Sequence, residues 1–365
     1  MRKPIGRAMT WIGVSDQSGG WFSPERSAPA ADAPGGLLPR GALMLEARVA
    51  PVSRPQIILS LARSHPWPGS LSLQVLPDRG IVLTEAQGTD ARSAVLPFPY
   101  TERTDSVRLS WSWDAPARTG RLTIERPEAD LARWVDLPGS RPMLVDDLRK
   151  IMTRPERRRM GDEVIFAAVS DRVEPVGPMP SLTADTPILT DRGERRVCEL
   201  RRGDLVRTER GNLVPVLGLV RRTVPARGSF HPVRLRAGYF GLTRDIVVAP
   251  CQQLVLRGAD VEYMFGCEAV LAPARHLLDN VSARPARGPD MVTYYQLVLP
   301  GHEPVIAAGC VLDSLFVGRL RRKPAQLAAS ILAPFERSLL PEHARPVWPV
   351  LKPFEAITIA AERAA

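Results

Sequence analysis

Asparagine occurs only twice in these 365 residues, at Asn212 and Asn280. Cysteine occurs four times, at Cys198, Cys251, Cys267 and Cys310, and no two are spaced as Cys-x-x-Cys. That excludes the usual zinc-finger and dithiol redox patterns, so neither a metal site nor a cofactor is expected. So few cysteines in so long a chain also argue against a disulfide scaffold, and the thiols read as free. Lysine is confined to Lys3, Lys150, Lys323 and Lys352, so arginine carries the net charge of +10. The arginines are scattered, with the densest runs at 154–159 and 319–323. No helix-turn-helix, zinc-finger or RNP signature accompanies them, which favours a solvated surface over a nucleic-acid interface. There is no apolar run of the ~18 residues that a membrane span needs. Nor does an apolar signal-peptide core follow the first three residues. Cytoplasmic residence is the default expectation, with export by a non-cleaved route as the alternative.

Proline (36) and glycine (27) are plentiful and spread along the chain. Together with 44% hydrophobic residues they point to an all-β protein of short strands and turns. The length suits about two domains of ~150 residues. Residues 1–40 are rich in Gly, Pro and Ala and read as a flexible arm. Strand patterns follow at 42–49, 56–62, 70–76 and 106–113. In the last, Val107, Leu109, Trp111 and Trp113 share one face, and Ser106, Arg108, Ser110 and Ser112 the other. A turn over 114–120 returns the chain through 121–125. This spacing predicts an antiparallel β-sandwich over 41–170, which resembles the laminin-G and concanavalin-type sandwiches. That resemblance implies glycan or protein partners. Trp111 and Trp113 read as core residues before they read as a sugar-stacking platform. Residues 142–160 predict a helix broken at Pro155, 164–168 a strand, and the proline-rich 171–180 a linker.

From Ser181 the text becomes more specific. It runs Ser181-Leu-Thr-Ala-Asp-Thr-Pro-Ile-Leu-Thr190, then Glu199-Leu-Arg-Arg-Gly-Asp-Leu-Val206, which carries a tight Gly203-Asp204 turn. Arg244-Asp-Ile-Val-Val-Ala-Pro-Cys-Gln-Gln-Leu-Val-Leu256 follows, then 269–278 and 294–299, with His302-Glu303 after them. The order and content of these blocks resemble the Hint (Hedgehog/intein) family, in particular its bacterial members, over about 181–320. The resemblance implies a Hint β-fold. In that family the first residue attacks the preceding carbonyl, and a histidine of the later block protonates the departing nitrogen.

Aligned on those blocks, the nucleophile position falls on Ser181, after Pro180, and the histidine position on Gln252. The Ser/Thr position of the later block falls on Ala249. A serine needs stronger activation than a cysteine thiolate, and glutamine has no titrating proton to give. Neither asparagine follows a histidine, so the terminal step of splicing has no His-Asn pair. Two readings follow: a degenerate Hint domain kept as a scaffold or interaction module, or autocatalytic cleavage at Pro180–Ser181 by an N-to-O acyl shift. The second would use Ser181, with Gln252, Cys251 or His302 in altered roles. A third reading is a carbohydrate- or surface-binding protein acting through the sandwich. Cys251 also reads as a buried thiol, His276 and His302 as structural histidines, and Thr183, Asp185 and Thr186 as turn groups. Residues 321–365 predict a short C-terminal helix over 324–340, interrupted at Pro334, and a proline-rich tail.

Overall fold

The computed structural model describes residues 10–23, 35–50, 54–77, 79–98, 104–127 and 131–364. The chain divides into two compact units, Met1–Val176 and Gly177–Ala365.

The first unit is an antiparallel β-sandwich. One sheet orders its strands as Arg159–Met160, Gln56–Arg63, Gly69–Leu76, Gly80–Gln87 and Asp90–Leu96. The other runs Leu131–Asp136, Thr119–Arg126, Asp105–Asp114, Arg40–Val49, Val164–Ser170, Trp11–Asp16 and Gly19–Phe22. Period-2 alternation sends Leu43, Leu45, Leu109 and Trp111 of one sheet toward Ile58, Leu71, Leu73 and Leu83 of the other, in one buried cluster. Trp111 and Trp113 belong to that core, and the Trp113 indole donates to the Leu38 carbonyl at 2.9 Å. Arg108, Ser110 and Ser112 are buried too, with Arg108 Nε 3.6 Å from Glu125.

The expectation of a flexible arm over 1–40 needs correction. Trp11–Asp16 pairs with Val164–Ser170, and Gly19–Phe22 pairs back on it. The glycines and serines near 18–20 make a hairpin turn, not a tether. The Ala- and Pro-rich run from Ala28 lies mostly outside the described residues. The helix expected at 142–160 is shorter, Val145–Thr153; beyond Pro155 the chain makes a 3-10 turn and then the strand Arg159–Met160. Proline cannot continue the α-helical ladder, but its fixed φ suits the start of a 3-10 turn. Asp147, in the first turn, meets Arg63 at 2.5 Å, and both side chains are buried.

The second unit is built from short strands in two antiparallel sheets. One runs Gly218–Pro225, Met291–Val298, Leu182–Thr183, Ile246–Val248, Val233–Leu235 and Ala283–Pro285. The other runs Leu213–Pro215, Leu205–Arg207, Pro187–Thr190, Val305–Ala307, Cys310–Leu312, Gln253–Arg257 and Ala269–Pro273, with Gly193–Arg196 also on Pro187–Thr190. The hairpin Val305–Ala307/Cys310–Leu312 closes through Ala308 (φ 48°) and Gly309 (φ 87°), the positive-φ pair that a two-residue primed turn needs.

C-terminal to this body, the helix expected over 324–340 spans only Pro324–Ala329. A twelve-residue helix, Pro353–Ala364, occupies the segment read as a tail. Its Ala356 and Ile359, with Leu351, join the same core cluster as Leu182, Val248 and Leu312.

Candidate functional site

Ser181 enters the fold through backbone pairing on both sides. Its N–H donates to the Tyr295 carbonyl (3.2 Å), and its own carbonyl accepts from Ala249 N (2.7 Å). Leu182 then pairs with Tyr295 on one side and Val248 on the other. These contacts place Ser181 in the middle of the sheet, 4% exposed.

Gln252 arrives from the turn between Ile246–Val248 and Gln253–Arg257, where its N–H closes on the Ala249 carbonyl (3.0 Å). Its amide nitrogen donates to two backbone carbonyls, Gln253 at 2.8 Å and Asp313 at 3.1 Å. Two carbonyls fix which end of the amide is nitrogen, so Oε1 must face the other way, toward Ser181. There the Ser181 hydroxyl donates to it at 2.7 Å.

Gln296 completes the cluster. It lies on Met291–Val298, where Tyr294, Gln296 and Val298 alternate onto one face, all buried. The Leu297 N–H donates to its Oε1 (3.1 Å), which turns Nε2 inward. That nitrogen donates to Ser181 Oγ (2.9 Å), to Gln252 Oε1 (3.2 Å) and to the Asp313 carbonyl (3.2 Å). The result is a buried set of neutral groups in which every carbonyl accepts and every amide nitrogen donates. A network satisfied this way is rigid and specifies one arrangement.

The fold thus brings Ser181 and Gln252 into direct contact. His302 reaches them only through Asp313. Its Nε2 sits 3.0 Å from Asp313 Oδ1, off the line of an ideal hydrogen bond, and its Nδ1 accepts from the Val347 N–H at 3.2 Å. Burial pushes the Asp313 carboxyl above the usual carboxylate range, and His302 and the Ser314 N–H work against that shift. Cys251 adjoins Gln252 and is partly exposed. His276 lies in the 3-10 turn Ala274–His276; burial, then Arg275, pushes it down to about 4. Thr183 and Thr186 act within the turn, Thr183 Oγ1 donating to the Val247 carbonyl at 2.7 Å. All four cysteines are free thiols, and burial pushes the Cys310 thiol up to about 12. Among the described residues no group of His, Cys, Asp and Glu is arranged to hold a metal ion, and no helix is long and apolar enough to cross a membrane.

Gln296 and Asp313 were not among the residues singled out from the sequence. The signal for Gln296 was in the text: one amide in the run Tyr294-Tyr-Gln-Leu-Val-Leu299, on the inward phase of the alternation. Asp313 offered less, because its contribution to the network is a backbone carbonyl.

The sequence model of the family described as the Hint domain matches residues 180–319. A search of curated proteins finds no match. Among solved structures, the gp41-1 intein is 11% identical, with a TM-score of 0.25, covering 37% of this chain and 98% of its own. The bacterial intein-like domain from Clostridium thermocellum is 18% identical, with a TM-score of 0.25, covering 37% and 99%. The CBM40 of the Ruminococcus gnavus IT-sialidase, solved with α2,6 sialyllactose, is 14% identical, with a TM-score of 0.27, covering 46% and 92%. Residues 180–319 of this chain are a Hint domain.

Proposed function

We propose that this Hint domain is degenerate for self-processing and serves as a scaffold or interaction module. The observation that carries the reading is the state of the Ser181 proton, which is engaged by the amide oxygen of Gln252 at 2.7 Å. An amide oxygen is too weak a base to take that proton, and the Gln252 nitrogen has none to lend near neutral pH. The second contact of the hydroxyl is a donor, Gln296 Nε2, which engages one of its two lone pairs and holds the oxygen in place. Pro180, whose fixed φ limits how the preceding carbonyl can approach, is itself buried. His302 is turned to Asp313 and Val347.

The test is intact-mass spectrometry of the purified chain with and without hydroxylamine or dithiothreitol, beside Ser181→Ala. A single mass of 40.1 kDa throughout is expected. Fragments parting between Pro180 and Ser181, and absent from Ser181→Ala, would overturn the reading in favour of serine-type cleavage.

A further inference from the structure

Residues 320–364 lie beyond the matched Hint segment, yet they return across the Hint body. Within them, residues 340–352 run without regular secondary structure and are tied down at successive points. The His343 N–H donates to the Gly318 carbonyl (3.0 Å), and the Trp348 indole to Glu209 Oε2 (3.0 Å). Leu271 N donates to the Pro349 carbonyl, and Leu351 N to the Leu271 carbonyl, in a short parallel bridge. Two further ties use imidazole nitrogens as acceptors: Val317 N donates to His343 Nδ1, and Val347 N to His302 Nδ1, each at 3.2 Å. One histidine belongs to the body and the other to the returning segment, so each ring holds a backbone N–H of the opposite partner. The rings lie 5.5 Å apart, packed with Phe316, and both are buried.

We propose that residues 340–352 form an acid-released latch over the Asp313 end of the Ser181 network, held shut by the unprotonated Nδ1 atoms of His302 and His343. Protonating Nδ1 turns an acceptor into a donor facing another N–H, so each ring loses its tie. Two protonated rings at this distance would also repel.

The surrounding charges bear on the sign. His302 faces Asp313, which follows Cys310–Leu312, and Glu303 adjoins His302 in sequence. Glu209 lies beyond Asp313, taken up by Arg257 and Trp348. His343 faces His302, and its neighbour Glu342 is taken up by Arg321 and Arg322. Burial, then His302, pushes His343 down to about 4. In a released segment it would titrate near the ordinary ~6.5. The released state therefore binds the proton first. Closure is fully favoured above about pH 6.5, weakens as pH falls, and levels off near 4. For one histidine this is about tenfold per pH unit, on the order of 300-fold across the window. Asp313 works the other way: it becomes neutral as pH falls, which removes the anion beside His302.

Hydrogen exchange of the full chain at pH 7, 6, 5 and 4, corrected for intrinsic rates, tests the latch. Protection over 340–352 is expected to fall by about that factor while Gln253–Arg257 and Met291–Val298 stay protected. In His302→Gln/His343→Gln, whose amides accept without titrating, the fall should vanish. Flat protection in the unsubstituted chain overturns the latch, as does loss in step with the reference strands, or a fall undiminished in the double variant. Should the double variant not fold, His343→Gln alone decides: a flattened slope supports the latch and an unchanged one overturns it. Cleavage does not enter this readout, so the latch and the scaffold reading stand or fall separately.

Discussion

The Ser181 hydroxyl donates to Gln252 Oε1 at 2.7 Å while the Gln252 nitrogen is held by the carbonyls of Gln253 and Asp313. The serine cannot reverse this bond without breaking two others. Its hydroxyl is fixed as a donor to a group that cannot keep the proton.

The proposed degeneracy predicts that the chemistry can be rebuilt by substitution. Ser181→Cys alone should leave the chain intact, because the thiol would still face an amide. Adding Gln252→His restores a group that can move a proton, and hydroxylamine-sensitive fragments should appear. The rate should exceed that of the single variant by about 10²–10⁴, the usual worth of general acid–base help. Intact-mass time courses of both variants measure it. An unchanged rate in the double variant would mean that Pro180 or the packing around it sets the block.

Gln296→Leu should destabilise the second unit by about 1–3 kcal/mol. It removes the donor shared by Ser181 Oγ, Gln252 Oε1 and the Asp313 carbonyl, and leaves them buried and short of a partner. Hydrogen exchange along Met291–Val298 reads the loss. A change under about 0.5 kcal/mol would show that water enters the site.

In the first unit, Asp147→Ala should cost about 3–5 kcal/mol, because Arg63 is left as a buried charge without its anion. Burial raises the Asp147 carboxyl, and Arg63 only partly offsets this, so the pair does little for stability as a whole. Arg63→Met/Asp147→Leu is therefore expected to lie within about 1–2 kcal/mol of the unsubstituted chain. Thermal unfolding of the three chains separates the cost of breaking the pair from the cost of replacing it. Equal losses in both variants would refute this view.

Ala308 sits at φ 48° in the turn that leads to Asp313. Alanine is strained there, and its methyl is fully buried in the core of the second unit, so glycine relieves the backbone without adding atoms. Ala308→Gly should change stability by less than about 1 kcal/mol, the relieved strain offsetting the lost methyl contacts and the added chain entropy. A loss above about 2 kcal/mol on thermal unfolding would count against the turn assignment.

Much of the fold was legible because it rests on local rules. Alternation placed six of the sandwich strands within two residues of their ends, whereas Gly80–Gln87, Asp90–Leu96 and Leu131–Asp136 were not singled out. The block order beginning at Ser181 aligned Ser181 with Gln252, which meet across 71 residues of sequence. Gln296 was harder because it reaches Ser181 across 115 residues and through no motif. The strands Trp11–Asp16 and Gly19–Phe22 were hidden by composition: their glycines resemble an arm until Val164–Ser170 supplies the missing ladder. The last helix was hidden by its proline. Pro353 is the first helical residue, where a missing N–H costs nothing, and reading it as the close of a tail inverted the signal.

The core of the second unit takes in Leu351, Ala356 and Ile359 beside the strands that begin at Leu182. During synthesis, the stretch recognisable as Hint is finished some forty residues before the side chains that complete its interior. A nascent chain stopped near residue 319 would hold the right strands around an unfilled seam, and the finished interior must wait for the ribosome to deliver the rest. The span that matches the Hint family and the span whose side chains fill this core are different lengths here.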